Sequence, residues 1–290
     1  MSLNIEPTGA TLGAVVTGIH LGSLDDTTWP VIERAFHDHA VLIFPGQHLT
    51  ADEQFAFAGR FGDIENLVPG RNLKVVPLSN RREDGMPLYA KGHGARILKG
   101  NEEWHTDSSY MPLSAKASVL SAVEVVPGTA RTGWADMRAA YDALDDGTRD
   151  RISNLCAYHS LFYSQGRIGH QPEVGAGYGF YAGEKPMRPL VKVHAATGRP
   201  ALYIGRHAYG IPGLSEEESE RLLTGLADFA CRPPRTYEHE WQVGDTAIWD
   251  NRCVMHRARP CDPKLPRVLV HTRVAGDPAT ELAPGMTPQQ

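Results

Sequence analysis

Residues 237–274, YEHEWQVGDTAIWDNRCVMHRARPCDPKLPRVLVHTRV, decide the fold class of this chain. The stretch contains three short runs that are apolar or that alternate between apolar and polar residues: Tyr237 to Trp241, Thr246 to Trp249 and Arg267 to Val274. The turn residues Val243-Gly244-Asp245 separate the first two runs. Short strands joined by turns, with few helices between them, are typical of a sandwich or jelly roll and disfavour a doubly wound sheet.

The same patterns predict further strands and four helices in the rest of the chain. The additional strands are Ala40 to Phe44, Ser118 to Val126, Leu190 to Val193 and Ala201 to Ile204. Two helices begin at the capping boxes Thr50-Ala51-Asp52-Glu53 and Ser215-Glu216-Glu217-Glu218, and two more cover Trp29 to His39 and a segment that starts near Asp136. No glycine-rich nucleotide motif follows a strand. The sequence therefore predicts one α+β, mainly β, domain over residues 1–290, with helices that flank a sandwich or jelly-roll core.

Composition excludes several classes of protein. The chain of 290 residues has 29 Lys and Arg against 34 Asp and Glu, a net charge of −5, so we expect no nucleic-acid partner. No apolar run approaches the ~18 residues that span a bilayer, and we expect no membrane association. The first residues resemble no secretory signal, and the four cysteines form no C-x-x-C pair. These features predict a cytoplasmic protein with reduced thiols.

Two segments have the composition of long loops. Ser79 to Glu103 is polar and rich in Gly, Lys and Arg, and Gly166 to Gly183 contains six glycines. Long loops in a compact domain are usually functional. We interpret the regions around 65–104 and 160–185 as lids over an active site.

Trp104-His105-Thr106-Asp107 is the His-x-Asp sequence of this chain. In an extended chain residues i and i+2 point to the same side, so His105 and Asp107 could bind one ion from a single strand. A second histidine must come from elsewhere, and the best candidate is His256. Two imidazoles and one carboxylate leave three adjacent positions of an octahedron open, which suits non-haem Fe(II).

A group of cations follows the candidate second histidine. Arg267, His271 and Arg273 alternate with apolar residues, so they share one face of the predicted strand. An arginine that points inward from such a strand needs an anion, because an unpaired buried charge is costly. A guanidinium pairs well with a carboxylate. A metal site beside this anchor is what a 2-oxo dicarboxylate would require.

Three motifs in this order resemble the taurine/2,4-dichlorophenoxyacetate dioxygenase family: residues 104–107, residues 135–144, and Trp249-Asp250-Asn251-Arg252 followed by His256. Within this family the chain is most similar to aryloxyalkanoate dioxygenases of the (S)-phenoxypropionate type, notably in residues 42–49, 188–194 and 204–208. The resemblance implies a double-stranded β-helix (jelly roll) that uses Fe(II), 2-oxoglutarate as co-substrate, and O2.

The resemblance also implies roles for individual residues. His105, Asp107 and His256 match the catalytic metal ligands, and Arg267 with Thr132 matches the pair that holds the distal carboxylate of 2-oxoglutarate. Asn101 matches a substrate-contacting position. Many members have a second arginine where this chain has His271, so the contact to the substrate anion stays open. The candidates for that contact are His271, Arg273, Arg206, His207 and the loop lysines Lys74, Lys91 and Lys99.

The implied activity is the hydroxylation of a small acidic substrate. For an aryloxyalkanoate the product would collapse to a phenol and a 2-oxo acid, with succinate and CO2 as co-products. Three alternatives stay open: the same chemistry on a sulfonate, sulfate ester or natural-product acid; a jelly-roll protein that keeps the metal for structure; and a zinc hydrolase, which lacks its H-E-x-x-H motif here. We expect a homo-oligomer, although the sequence does not supply the number of subunits.

Overall fold

The computed structural model describes residues 2–68, 70–71, 73–81 and 93–288. Eight helices are described: α1 (Trp29–His39), α2 (Ala51–Gly59), α3 (His93–Gly100), α4 (Met137–Asp142), α5 (Asp146–Ile152), α6 (Leu161–Arg167), α7 (Glu216–Ala230) and α8 (Pro278–Glu281). The first eight strands are β1 (Asn4–Pro7), β2 (Ala14–Thr17), β3 (Val41–Phe44), β4 (Val76–Ser79), β5 (Ala115–Val125), β6 (Arg131–Asp136), β7 (Cys156–His159) and β8 (Met187–Pro189). The remaining strands are β9 (Val191–Val193), β10 (Pro200–Leu202), β11 (Ala208–Tyr209), β12 (Thr236–Glu240), β13 (Thr246–Asp250), β14 (Val254–Ala258) and β15 (Arg267–Ala275).

Seven strands form the main sheet, in the order β1-β2-β3-β13-β5-β15-β4. β2 and β3 run parallel, and the other neighbours in this sheet are antiparallel. β13 is buried at every position because it lies between β3 and β5 and is covered on both faces. This explains why its centre, Ala247 to Trp249, is apolar at consecutive positions and does not alternate.

A three-stranded sheet, β12-β6-β14, packs beside the main sheet. The rings of Trp134 on β6 and Trp249 on β13 meet at a centroid distance of 5.9 Å, and both side chains are buried. His256 on β14 also contacts Trp249, at 4.6 Å between ring centroids. The candidate metal ligand His256 therefore lies where these two sheets meet.

The helix starts agree with the capping patterns in the sequence. Thr50 and Ser215 each accept a hydrogen bond from the backbone N–H three residues later, and Glu53 and Glu218 complete both capping boxes. Asp136 caps α4, and α1 ends at Ala40 in a left-handed conformation. In the described part of the chain, no helix is both apolar and long enough to cross a bilayer.

The two regions expected to be loops are partly regular. β4 and α3 lie within 65–104, and α6 lies within 160–185. The sequence conceals α6 because its apolar contacts come from the short run Leu161 and Phe162, and its start depends on a cap from Ser160 to Tyr163. Residues 82–92, which include Lys91, lie outside the described part of the chain. The expectation of a chain that combines sheets and helices is confirmed, but the described residues form eight helices where the sequence predicted four.

Candidate metal centre

A pair of backbone hydrogen bonds joins the two candidate histidine ligands. The His105 N–H donates to the His256 carbonyl at 3.0 Å, and the His256 N–H donates to the His105 carbonyl at 2.8 Å. Their rings lie 4.1 Å apart between centroids. This isolated antiparallel bridge brings two residues that are far apart in sequence to the same level of the structure.

Asp107 completes the group at a turn. The chain leaves the extended conformation after His105, and Ser108 adopts a left-handed conformation with φ of 51°. Ligand atoms of His105, Asp107 and His256 all lie within 4.8 Å of one another, and all three residues are buried. The expectation that His105 and Asp107 share a regular strand is therefore wrong, since the turn and not the pleat brings the carboxylate to the imidazoles.

Burial keeps both imidazoles neutral, and a hydrogen bond also orients the ring of His105. His105 Nδ1 lies 2.7 Å from the Glu103 carbonyl oxygen, which leaves Nε2 free for a metal. Burial, with His256 nearby, lowers the pKa of His105 to about 3. Burial also lowers the pKa of His256 to about 4, against the opposing effect of Asp107. Neither imidazole carries a proton that a metal would have to displace at neutral pH.

Three side chains fix the carboxylate of Asp107. Arg273 Nη2 donates to Oδ1 at 2.8 Å, and Ser118 Oγ donates to Oδ2 at 2.6 Å. Asn251 Nδ2 in turn donates to Ser118 Oγ at 2.9 Å. Burial alone would raise the pKa of Asp107, but Arg273 and the surrounding imidazoles hold it well below its usual range. The group is therefore an ionised carboxylate with a fixed orientation.

This donor set fits a divalent transition metal. Two neutral imidazoles and one carboxylate with open positions form the facial triad of non-haem Fe(II) oxygenases. Oδ2 of Asp107 lies 3.7 Å from Nε2 of His256, so the two atoms could bind one ion after a small adjustment. The chemistry of the three donors and their burial together support an iron site.

A second buried cluster contains His194, Asp250 and Cys253 but has a different character. Arg252 donates to both carboxylate oxygens of Asp250, through Nε at 2.8 Å and Nη2 at 2.6 Å. His194 Nε2 lies 2.9 Å from the same carboxylate. The guanidinium supplies the positive charge that a metal would otherwise bring, so we interpret this cluster as structural.

A cavity of about 260 Å³ opens onto the metal-binding group. Thr132, Arg267, His271 and Arg273 line it together with the three candidate ligands. The rest of the wall is largely apolar or aromatic. Its residues come from the main sheet, α3, α6, the glycine-rich segment and two connecting segments: Leu67, Val76, Leu78, Ile97, Leu98, Tyr110, Leu120, Leu161, Tyr178 and Phe180. The cavity can therefore hold a molecule that is both anionic and apolar.

Arg267 is the cation of this cavity that lacks a counter-ion in the described residues. Its Nε has no hydrogen-bond partner, and burial lowers the pKa of its guanidinium below the ordinary value. Thr132 Oγ1 accepts a hydrogen bond from Trp241 Nε1 at 2.9 Å, which leaves the threonine proton available. A buried guanidinium without an anion is unfavourable. An anionic ligand that reaches Arg267 would remove this cost.

The residues proposed to contact the substrate anion differ in whether they line the cavity and in whether they already have a partner. Asn101, His207 and His271 line the cavity. His271 Nε2 has no hydrogen-bond partner and lies 3.7 Å from Asp107 Oδ2. Arg273 also lines the cavity, but its guanidinium already contacts Asp107 and Ser108.

The remaining candidates are directed elsewhere. Arg206 forms an ion pair with Glu103 at 3.0 Å and donates to the Ser164 carbonyl at 2.8 Å, and it is absent from the cavity wall. Its neighbour His207 lines the cavity. Lys74 pairs with Asp52, and Lys99 pairs with Glu102.

Several residues of the site escaped the sequence analysis. Ser118, Tyr110, Tyr178 and Glu65 belong to no motif that the sequence reveals, and Asn251 was noted only as part of the Trp249-to-Arg252 motif. Each acts through a contact between segments distant in sequence. The glycines that flank Tyr178 were the available signal for that residue, because they mark a segment of special backbone conformation.

Residues 4–273 match the family described as Taurine catabolism dioxygenase TauD, TfdA family. The match covers most of the chain, and the chain belongs to this family. The resemblance seen in the sequence motifs is thereby confirmed.

Particular relatives narrow the comparison. The chain is 51% identical over 291 residues to the (S)-phenoxypropionate/alpha-ketoglutarate-dioxygenase of Delftia acidovorans, with 97% of each protein covered. It is 37% identical to the alpha-ketoglutarate-dependent 2,4-dichlorophenoxyacetate dioxygenase of Cupriavidus pinatubonensis, with 93% of this chain and 96% of the relative covered. The crystal structure of AAD-2 in complex with Mn(II) and N-oxalylglycine superposes with a TM-score of 0.87, at 36% identity and 100% coverage of both chains.

Proposed function

We propose that this protein is an Fe(II)- and 2-oxoglutarate-dependent dioxygenase that oxidises a small aryloxyalkanoate. The observation that carries the proposal is one cavity in which the three candidate ligands and the unpaired Arg267 lie together. A dicarboxylate co-substrate needs both features, since one end chelates the metal and the other end needs a cation. The names of the relatives support the same activity.

His105, Asp107 and His256 would hold the iron, and the chain supplies the positioning around it. Ferrous ion with 2-oxoglutarate and O2 supplies the oxidising power that places a hydroxyl on a substrate carbon. Arg267 and Thr132 bind the distal carboxylate and so fix the orientation of the co-substrate, an effect that lowers the entropy cost of the reaction. Ser118 and Arg273 keep the Asp107 carboxylate in a fixed orientation.

The apolar wall of the cavity supports an aromatic substrate. Leu78, Ile97 and Phe180 would contact an aryl ring, and their side chains exclude water from the reacting carbon. His271, His207 and Asn101 are the candidate contacts for the substrate carboxylate. Hydroxylation of the carbon that bears the ether oxygen gives a product that collapses to a phenol and a 2-oxo acid.

We also propose a wider framework for this activity. The main sheet and β12-β6-β14 would be the two faces of a double-stranded β-helix, which the contact between Trp134 and Trp249 supports. The chain would act as one domain, with the regions around 65–104 and 160–185 as lids. A cytoplasmic homo-oligomer with no nucleic-acid or membrane partner remains our prediction.

Succinate release with a panel of substrates tests the proposal. Protein loaded with Fe(II) is incubated with 2-oxoglutarate and either enantiomer of 2-phenoxypropionate, phenoxyacetate, an alkyl sulfate or taurine. We expect succinate and phenol in equal amounts from at least one aryloxyalkanoate. Succinate from the sulfur-containing substrates alone would move the activity to the alternative class. No succinate from any of them, in protein that binds the metal, would refute the proposal.

A further inference from the structure

A hydrogen-bonded chain links the glycine-rich segment to the carboxylate of the metal site. Tyr178 Oη donates to Glu65 Oε2 at 2.6 Å, and Ser108 Oγ donates to the same oxygen at 2.9 Å. Arg273 Nη1 donates to Ser108 Oγ at 3.0 Å, while its Nη2 donates to Asp107 Oδ1 at 2.8 Å. Four contacts therefore connect a tyrosine of the candidate lid to a candidate ligand of the iron.

The backbone presents Tyr178 to this chain of contacts. Gly179 has a φ of 85°, and a Cβ at this position would lie 2.5 Å from the ring of Tyr110. Another residue would therefore be strained there and would also collide with the cavity wall. Residues 173–177 are exposed, whereas Gly179 and Phe180 are buried. Tyr178 thus lies where the segment passes from solvent into the site.

Two buried carboxylates compete for one guanidinium in this arrangement. Arg273 bonds to Asp107, and its Nη1 lies 3.9 Å from Glu65 Oε2. The hydroxyls of Tyr178 and Ser108 satisfy Glu65 instead. Loss of the Tyr178 hydroxyl would leave Glu65 with one hydrogen-bond donor fewer. The guanidinium of Arg273 lies close enough to donate to Glu65 in its place. Movement of Arg273 toward Glu65 would weaken its hold on Asp107.

We propose that Tyr178 is a positioning residue, which couples docking of the glycine-rich segment to the orientation of the Asp107 carboxylate through Glu65, Ser108 and Arg273. The metal site is then completed when this segment packs over the cavity. The coupling rests on the proposed iron site but not on the identity of the substrate. It predicts effects on metal binding in the absence of any co-substrate.

Mn(II) binding to three variants tests the coupling. In Tyr178→Phe the ring is kept and the hydroxyl is lost, and we expect the Kd for Mn(II) to rise about 10-fold, in the range found for groups that orient metal ligands. In Glu65→Gln the competing charge is removed, so Mn(II) should bind at least as tightly as to the unmodified chain. The double variant should recover most of the affinity that Tyr178→Phe loses, because Arg273 then has a single carboxylate partner.

A matched control comes from another tyrosine–glutamate pair. Tyr163 Oη donates to Glu220 Oε2 at 3.0 Å, neither residue lines the cavity, and Tyr163→Phe removes the same kind of hydrogen bond. Its Kd for Mn(II) should stay within about twofold. Hydrogen exchange gives a second readout: Mn(II) should slow amide exchange in residues 173–183 of the unmodified chain and of Tyr163→Phe, but not of Tyr178→Phe.

Specific results would overturn the coupling. Unchanged Mn(II) affinity in folded Tyr178→Phe, or a double variant as weak as the single variant, would exclude competition for Arg273. If Tyr178→Phe does not fold, weaker Mn(II) binding in Glu65→Gln alone would also refute the idea. Because no substrate enters these measurements, a failure to oxidise aryloxyalkanoates would contradict the proposed function and leave this inference standing.

Discussion

Arg267 is the residue whose unpaired charge gives the cavity its preference for an anion. Arg273 lies on the same face of β15, but its guanidinium is already paired because it bonds to Asp107 and Ser108. Arg267 is partly buried, and a partly buried cation without a counter-ion destabilises the folded chain, a cost that ligand binding recovers. The residue thus favours binding at the expense of stability.

Replacement of Arg267 should separate these two effects. We expect Arg267→Gln to raise the KM for 2-oxoglutarate by about 30-fold or more, since truncation of one partner of a buried charge pair costs about 2 kcal/mol or more. The melting temperature without co-substrate should stay level or rise. Arg206→Gln is the control: it breaks the pair with Glu103, so it should lower the melting temperature and leave that KM nearly unchanged.

The histidine ligands should keep metal affinity in acid better than ordinary imidazoles. The pKa values of His105 and His256 are lowered to about 3 and about 4, so both ligands stay neutral well below pH 6.5. We expect the Kd for Mn(II) to be nearly constant from pH 8 to about pH 5.5 and to rise only at lower pH. A loss of affinity that begins near pH 7 would show that the imidazoles titrate normally.

At the scale of single residues, the sequence predicted which side chains share a face of a strand better than it predicted their hydrogen-bond and ion-pair partners. Alternation placed Arg267, His271 and Arg273 on one face of a strand, and all three line the cavity. Alternation cannot show which of them meets a carboxylate, because Asp107 reaches Arg273 from a turn distant in sequence. For the same reason the sequence could not show that Arg206 pairs with Glu103.

Among the elements, the central strands of the main sheet and the two helices with capping boxes were predicted well, whereas the short helices α3, α5, α6 and α8 were not. β13 extends one residue beyond the predicted run Thr246 to Trp249, and β15 extends one residue beyond the predicted run Arg267 to Val274. These strands are buried, so their apolar pattern is strong. The helix α3 lies in a polar, glycine-containing segment, and its turns are stabilised by contacts such as Ile97 with Tyr110 and Phe180 that no local pattern encodes.

The two capping boxes provide a prediction at the element scale. We expect Thr50→Ala and Ser215→Ala each to lower the free energy of unfolding by about 1 kcal/mol, because each leaves helix N–H groups unsatisfied. Urea denaturation measures both values. The corresponding serine and threonine exchanges, Thr50→Ser and Ser215→Thr, keep the hydroxyl and serve as controls. A loss as large in the controls would show that the cap hydroxyl is not responsible.

At the scale of the whole molecule, five buried imidazoles among the described residues have a lowered pKa, and this should make the folded chain sensitive to acid. Burial lowers the pKa of His105, His256 and His271 to about 3, about 4 and about 3, and it also lowers the pKa of His159 and His207 well below the usual value. In the unfolded chain these histidines would bind protons near pH 6.5, whereas in the folded chain they stay neutral at that pH. The contribution of these histidines to the free energy of unfolding is therefore fully present above pH 6.5. It is lost as the pH falls toward their pKa values in the folded state.

Thermal unfolding between pH 7.5 and pH 5 measures this sensitivity. His105, His256 and His271 should each lower the free energy of unfolding by about 2 kcal/mol between pH 6.5 and pH 5, at about 1.4 kcal/mol for each pH unit. We expect a steep decrease in melting temperature over this range in metal-free protein. His271→Gln should flatten the decrease, because it removes one of the groups. A melting temperature that is independent of pH would contradict this account.

The backbone bridge between His105 and His256 forms when the chain folds. The entropy cost of bringing these two candidate ligands together is therefore part of folding and not of metal binding. An arriving cation then meets two imidazoles that the backbone already holds together, and only the Asp107 carboxylate depends on the packing of the glycine-rich segment, so binding should be only weakly selective among divalent ions of similar radius. Freshly purified material is then expected to carry a mixture that mirrors the trace elements of the growth medium. Its apparent specific activity would vary from batch to batch until the occupant is stripped and replaced.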